Sequence, residues 1–130
     1  MIHIQHHNVQ YLLILFLVLT TTSALPLDEN KNPFAGDSSA AIEGKRLFLK
    51  AGCYACHGHE AEGAIGPDLT DDEWIYKPTD SMIFNTISNG RSGTVMASFS
   101  NDLSKDEIWQ IVEFLRDKNR QRRKSGVTPK

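Results

Sequence analysis

Apolar positions fall into one unbroken run and three spaced stripes along the 130-residue chain. The run covers residues 11–19 and is followed by Thr20, Thr21, Thr22, Ser23 and Ala24. An apolar core of that length before small residues reads as a secretory signal, with cleavage after Ala24. It falls short of the roughly 20 residues that span a bilayer. Its leading segment has no Lys or Arg, only His3, His6 and His7. The first stripe puts Ala41, Gly44, Leu47, Phe48 and Ala51 on one face of a helix over residues 39–50, with Asp37 or Ser38 as its cap. A glycine inside a helix costs about 1 kcal/mol against Ala, so Gly44 predicts a second element pressed close to the backbone. The second stripe, Ile83, Phe84 and Ile87, predicts a helix over residues 80–88 that stops at Asn89 and Gly90. The third, Ile108, Ile111, Val112 and Leu115, follows Ser104 and Glu107, which are spaced as a capping box. Trp109 and Phe114 widen this arc on either side, so the last helix should meet more than one neighbour, the first helix among them. No alternating strand pattern or internal repeat interrupts these stripes, and the pattern predicts an all-α domain.

The chain has two cysteines, and both lie in one pentapeptide. Cys53, Tyr54, Ala55, Cys56 and His57 spell C-x-x-C-H, a sequence for covalent haem attachment. Each thiol can add to one vinyl group, and the adjacent imidazole can bind the iron axially. A thioredoxin-like centre would need a βαβ setting. A structural zinc site would need four ligands, usually in two separated pairs, and no further cysteine exists. Export suits this chemistry, because thioether bonds would consume both thiols in an oxidising compartment. The domain is small enough for its core to be marginal, and a haem would serve as a large apolar core element. His59 follows the motif closely and reads as a solvated loop residue.

A sixth ligand can be sought among the methionines, since a thioether is a soft neutral donor that stabilises Fe(II). Met82 and Met96 lie downstream of the motif. Met82 falls away from the Ile83 and Ile87 stripe and reads as a filler at the edge of the core. Met96 falls in a segment after Gly90 and Gly93, where the chain is free to bend, and is the predicted ligand.

With these residues in view, the chain resembles the class I c-type cytochromes with one haem. The resemblance rests on Gly44 and Phe48 before the haem motif, then Gly66, Pro67, Asp68 and Leu69, then Asn89, Gly90 and Arg91 with Met96 and Phe99, and finally Phe114 and Leu115. It implies a class I cytochrome c fold, with three main helices and loops wrapped round one covalently bound haem c. It also implies that the first and last helices cross near Gly44 with Phe114 packed there, that the Pro67 carbonyl accepts from His57, and that Leu69 packs on the haem. Trp74, Tyr76 and Arg91 are candidate donors to the propionates. The family commonly has Pro after its ligand Met, whereas Ala97 and Ser98 stand here. Without that Pro the ligand loop should be less rigid and the Fe–S bond more labile. Residues 66–76 resemble small cytochromes that accept electrons from quinoprotein alcohol dehydrogenases, and haem subunits of terminal oxidases have a similar stretch. Those relatives often continue with two glycines, where this chain has Lys77 and Pro78.

Charge is unevenly placed. Residues 25–115 carry seven Lys or Arg and fifteen Asp or Glu, while residues 116–130 carry seven basic residues and one acid. The basic end reads as a solvated helix terminus, where cations suit the macrodipole, running into a disordered tail. A docking arm for an acidic partner is the alternative. Thr70 and Glu73 are spaced as a second capping box. The expected organisation is a signal peptide at 1–24, a flexible arm at 25–36, a cytochrome domain at 37–119 and a basic tail at 120–130. The expected protein is a monomeric periplasmic electron carrier without a membrane anchor or nucleic-acid partner. It would work between a redox donor, such as a quinoprotein dehydrogenase, and an oxidase or other cytochrome as acceptor. The competing readings are a haem enzyme or gas or peroxide sensor with a labile Met96, and an electron-transfer subunit of a fixed complex.

Overall fold

The computed structural model describes residues 31–72 and 78–126. The expected signal peptide, Trp74 and Tyr76 lie outside the described residues. Among the described residues four helices follow one another: α1 (Ser38–Lys50), the single turn α2 (Tyr54–His57), α3 (Asp80–Asn89) and α4 (Lys105–Lys124). Among the described residues there is no strand. The three stripes of the sequence thus become the three long helices.

Each helix begins where its sequence supplies a cap. The Asp37 carboxylate accepts from the backbone N–H groups of Ser39 and Ala40 at the start of α1. The Thr79 hydroxyl accepts from Met82 N–H at the start of α3. Ser104 and Glu107 form the full reciprocal capping box of α4. The Thr70 hydroxyl, expected to open a second such box, donates to Asp68 and accepts from Arg122. Glu73 lies outside the described residues.

The core is the crossing of α1 on α4. Leu47 and Phe48 of α1 are buried against Ile108, Ile111, Val112, Phe114 and Leu115 of α4. Burying one such side chain is worth about 1.5–3 kcal/mol. The rings of Phe48 and Phe114 pack with centroids 5.4 Å apart and planes tilted by 59°, an arrangement aromatic pairs favour. Gly44 makes this crossing possible. A Cβ built there would lie 1.9 Å from the carbonyl oxygen of Gln110, so no side chain fits between the two helices. Helix α3 joins α4 through Phe84, which stacks on Trp109 at 4.3 Å. Arg116 of α4 adds an ion pair to Asp80 at 2.6 Å.

Two boundaries differ from the sequence expectation. The arm before α1 is ordered over residues 32–36 by one buried carboxylate. Glu113 accepts from Gly36 N–H at 3.0 Å and from Arg120 at 2.7 Å, and the side chain of buried Asn32 donates to the Trp109 carbonyl at 3.3 Å. A carboxylate that is 1% exposed needs such partners. Helix α4 also runs past residue 119 to Lys124. Its last turns contain no apolar residue, so periodicity lapses there, but Arg, Gln and Lys are strong helix formers. Two of its basic residues are held by the body: Arg122 pairs with Asp68 at 2.7 Å and Arg123 with Asp72 at 2.5 Å.

Substituting Gly44→Ala is expected to destabilise the protein by about 3 kcal/mol or more through overpacking on backbone atoms. At an unobstructed helix position the same change would stabilise it by about 1 kcal/mol. Urea denaturation followed by circular dichroism measures the difference, and a stability equal to or above wild type would refute the close crossing.

Candidate haem site

The haem motif is built on one turn. Gly52 ends the first helical segment with φ +82°, and the N–H of Cys53 bonds the Phe48 carbonyl at 3.1 Å. The N–H groups of Cys56 and His57 both bond back to the Cys53 carbonyl, at 3.2 and 3.0 Å. Residues three and four apart share a helix face, so both thiols and the imidazole issue from the same side of α2. Cys53 and Cys56 are free and half-buried. Burial pushes the Cys53 thiol above its ordinary value, and the neighbouring Cys56 adds to the rise. His59 is exposed, with its ring against that of Tyr54 at 4.7 Å.

The loop after α2 folds back over the imidazole. Gly63 N–H bonds the His57 carbonyl at 2.7 Å, and Gly66 N–H bonds the Cys56 carbonyl at 2.7 Å. A Cβ at Gly66 would lie 3.0 Å from His57 Cε1, so this loop rests on the ring itself. His57 Nδ1 lies 3.0 Å from the Pro67 carbonyl oxygen. A carbonyl can only accept, so Nδ1 carries a proton, and in the neutral ring Nε2 then keeps its lone pair. That is the tautomer a metal-binding histidine requires. Leu69 is fixed by its N–H on the Ala61 carbonyl at 2.8 Å. Leu69, Phe84, Phe99 and Cys53 pack on the core while remaining only partly covered.

Met96 sits in the loop between α3 and α4, half-buried. Hydrogen bonds hold this loop without the missing proline. Arg91 N–H bonds the Met96 carbonyl at 3.0 Å, and Met96 N–H bonds the Thr94 hydroxyl at 3.2 Å. The Ser98 hydroxyl donates to the Ser88 carbonyl at 2.6 Å, and Phe99 N–H bonds Ile87 at 3.1 Å. Ser98 thus helps tie down a loop that the absence of Pro led us to expect loose. The loop also passes directly over Gly90, where a Cβ would come within 2.7 Å of the Met96 carbonyl oxygen. Arg91 is exposed at the start of the loop. Met82 is half-buried in α3, as its place off the stripe suggests.

The donor set fits a haem. Two free thiols and a correctly protonated imidazole leave one turn, beside incompletely covered apolar side chains. Among the described residues no group of three or more His, Cys, Asp and Glu could hold a bare metal ion. The family model described as "Cytochrome C oxidase, cbb3-type, subunit III" matches residues 39–115. The chain is a c-type cytochrome of this family. Cytochrome c-L of Methylorubrum extorquens is 37% identical to it over 92 residues, covering 69% of this chain and 46% of the relative. The cbb3-type cytochrome c oxidase subunit CcoP of Azospirillum brasilense is 33% identical over 115 residues, covering 78% and 38%. The cytochrome therefore spans less than half the length of either. The crystal structure of cytochrome c-L from Methylophaga aminisulfidivorans superposes with a TM-score of 0.60 at 34% identity, covering 75% of this chain and 71% of that one. The cytochrome has the class I fold of these neighbours, and its family implies haem c. No helix among the described residues is long and apolar enough to cross a membrane.

The loop is secured to the helices by charge as well. Lys45 of α1 and Lys118 of α4 both pair with Glu60, the latter at 2.9 Å, and hold its carboxyl below the ordinary value of 4.5. Burial alone would raise Asp68, but the Thr70 hydroxyl, the Thr70 N–H and Arg122 outweigh it and set it below 3.8. Arg123 and Asn119 lower Asp72 in the same way. Groups depressed in the folded state contribute stability that is complete above their unfolded values and is lost as pH falls through the folded ones. The denaturation midpoint of the cytochrome is therefore expected to hold steady near neutrality and to fall progressively below about pH 4.5. Glu60→Gln should flatten that fall. An acid profile identical in wild type and Glu60→Gln would show that the Glu60 pairs contribute nothing.

Proposed function

We propose that this cytochrome is an exported single-electron carrier with one covalently bound haem c. Cys53 and Cys56 would hold the haem by thioethers, and His57 and Met96 would bind its iron. When bound, the haem supplies a one-electron couple whose iron changes oxidation state without gross rearrangement of its ligands. The observation that carries this reading is the imidazole of the C-x-x-C-H turn, oriented by the Pro67 carbonyl with Nε2 free to bind metal. The chain's own part is positional. Pro67 sets the tautomer and tilt of His57, and Gly66 gives the loop room to lie on the ring. The hydrogen-bonded loop of residues 90–99 would present Met96, and Leu69 and Phe99, partly covered, would pack against the haem. One electron arrives from a reduced donor and one leaves to an oxidised acceptor, with no bond made or broken in the protein.

The donor we favour is a periplasmic dehydrogenase, as the resemblance of residues 66–76 and the cytochrome c-L relatives suggest. A second reading has specific support. The matching family model and the CcoP relatives favour a subunit that passes electrons within a cbb3-type oxidase. Co-purification with a soluble dehydrogenase supports the first, and recovery in a detergent-solubilised oxidase supports the second. A sensor or haem enzyme would need Met96 to leave the iron, which the hydrogen bonds of its loop oppose.

Replacing both Cys53 and Cys56 by Ala is expected to abolish haem staining on denaturing gels, and His57→Ala should do the same. Undiminished stain in the double variant would sink the attachment reading. Met96→Ala should remove the weak far-red band of a thioether on ferric iron, lower the potential and admit exogenous ligands. Met82→Leu should leave all three unchanged. The opposite result would transfer the ligand role to Met82.

A further inference from the structure

The segment that carries Pro67 is clamped by the end of α4. Asp68, the next residue, accepts from Arg122 Nη1 at 2.7 Å. The same nitrogen donates to the Thr70 hydroxyl at 2.8 Å. The Thr70 hydroxyl and N–H both donate to Asp68, each at 2.7 Å. One turn earlier on α4, Asn119 donates to the carbonyls of Thr70 and Asp71, at 3.1 and 3.2 Å, and to the Asp72 carboxylate at 3.2 Å. Asn119 and Thr70 are buried. Every polar group on the inner side of residues 68–72 that these bonds reach is therefore held by a helix packed on α1. Lys118 of α4 reaches the same loop nearer His57, through Glu60 at 2.9 Å.

We propose that Arg122 and Asn119 are positioning residues that set the redox potential by fixing the Pro67 carbonyl against His57. This rests on the reading of His57 as the axial ligand. A histidine N–H bonded to a firmly held carbonyl is a more basic, more electron-donating ligand than one whose acceptor moves. A stronger donor favours the oxidised metal. Loosening the clamp weakens the N–H···O bond, lowers that donation and raises the potential. Plain electrostatics predicts the reverse for Arg122, because deleting a cation near the site eases oxidation and lowers the potential. The sign of the shift separates the two effects. Asn119 is neutral, so its removal tests the clamp without changing charge.

The test uses the full holoprotein in three variants: Arg122→Gln, Arg122→Lys and Asn119→Ala. Midpoint potential and the exchange rate of the His57 Nδ1 proton by NMR are the readouts. Arg122→Gln and Asn119→Ala are expected to raise the potential, by up to about tenfold in the ferric–ferrous equilibrium, or about 59 mV for one electron. Both should speed proton exchange while the far-red thioether band persists. Arg122 makes both clamp bonds through Nη1, and its buried Nε has no partner among the described residues. A Lys ammonium can replace that single donor, so Arg122→Lys should stay close to wild type. A lowered potential in Arg122→Gln with Asn119→Ala unchanged would overturn the proposal, as would unaltered exchange in both. Should Arg122→Gln fail to fold, Asn119→Ala decides the matter alone. Absence of covalent haem from the wild-type protein would instead refute the ligand reading on which the proposal stands.

Discussion

The structure depends on two helix backbones being allowed to touch. Where α1 crosses α4, Gly44 lies against the Gln110 carbonyl with no room for a methyl group. That contact sets how α1 lies on α4, and α1 stops at Gly52, directly before the cysteine turn. It also fixes the line of α4, whose buried face meets α3 through Trp109 and whose last turns reach the loop of Asp68, Thr70 and Asp72. Three segments are thereby hung on one crossing: the turn bearing His57, the loop bearing Pro67 and the helix leading to Met96. A small domain with little core of its own gains this order from a single close approach.

Charge does a different task from the one its distribution along the chain suggests. An acidic body followed by a basic end looks like two surfaces awaiting partners. In the folded chain the two largely meet each other: Arg116 reaches Asp80, Lys118 reaches Glu60, Arg122 reaches Asp68 and Arg123 reaches Asp72. Pairs this exposed are individually weak. Their use here is geometric, because Arg116 ties α3 to α4 and the other three settle a loop with no regular secondary structure onto that helix. The loop then holds the acceptor for His57 in place.

Much of this was legible in the sequence because it is local. Apolar spacing marked the long helices, Ser104 and Glu107 marked the start of α4, and five adjacent residues marked the chemistry. The close crossing at Gly44 was legible too, since a glycine inside a helical stripe needs a reason. What escaped was long-range polar pairing. Asn32 lies 77 residues from Trp109 and Arg122 lies 54 from Asp68, and no periodic pattern connects such positions. So the arm before α1 read as loose and the end of α4 as a tail. One signal was present: Glu113 stands four residues after Trp109 inside a buried arc, where an acid demands a partner. The missing proline after Met96 was misleading for a similar reason, since Ser98 contributes a tether through a hydroxyl bond that spacing alone does not reveal.

The central claim is that this fold carries one haem joined to Cys53 and Cys56. Intact-mass spectrometry of the purified protein under denaturing conditions tests it most directly, followed by mapping of the peptide that contains residues 53–57. The account predicts the mass of the polypeptide plus a single haem, with the increment on that peptide and no thiol left to alkylate. A polypeptide mass without the increment, with both cysteines alkylated, would contradict it.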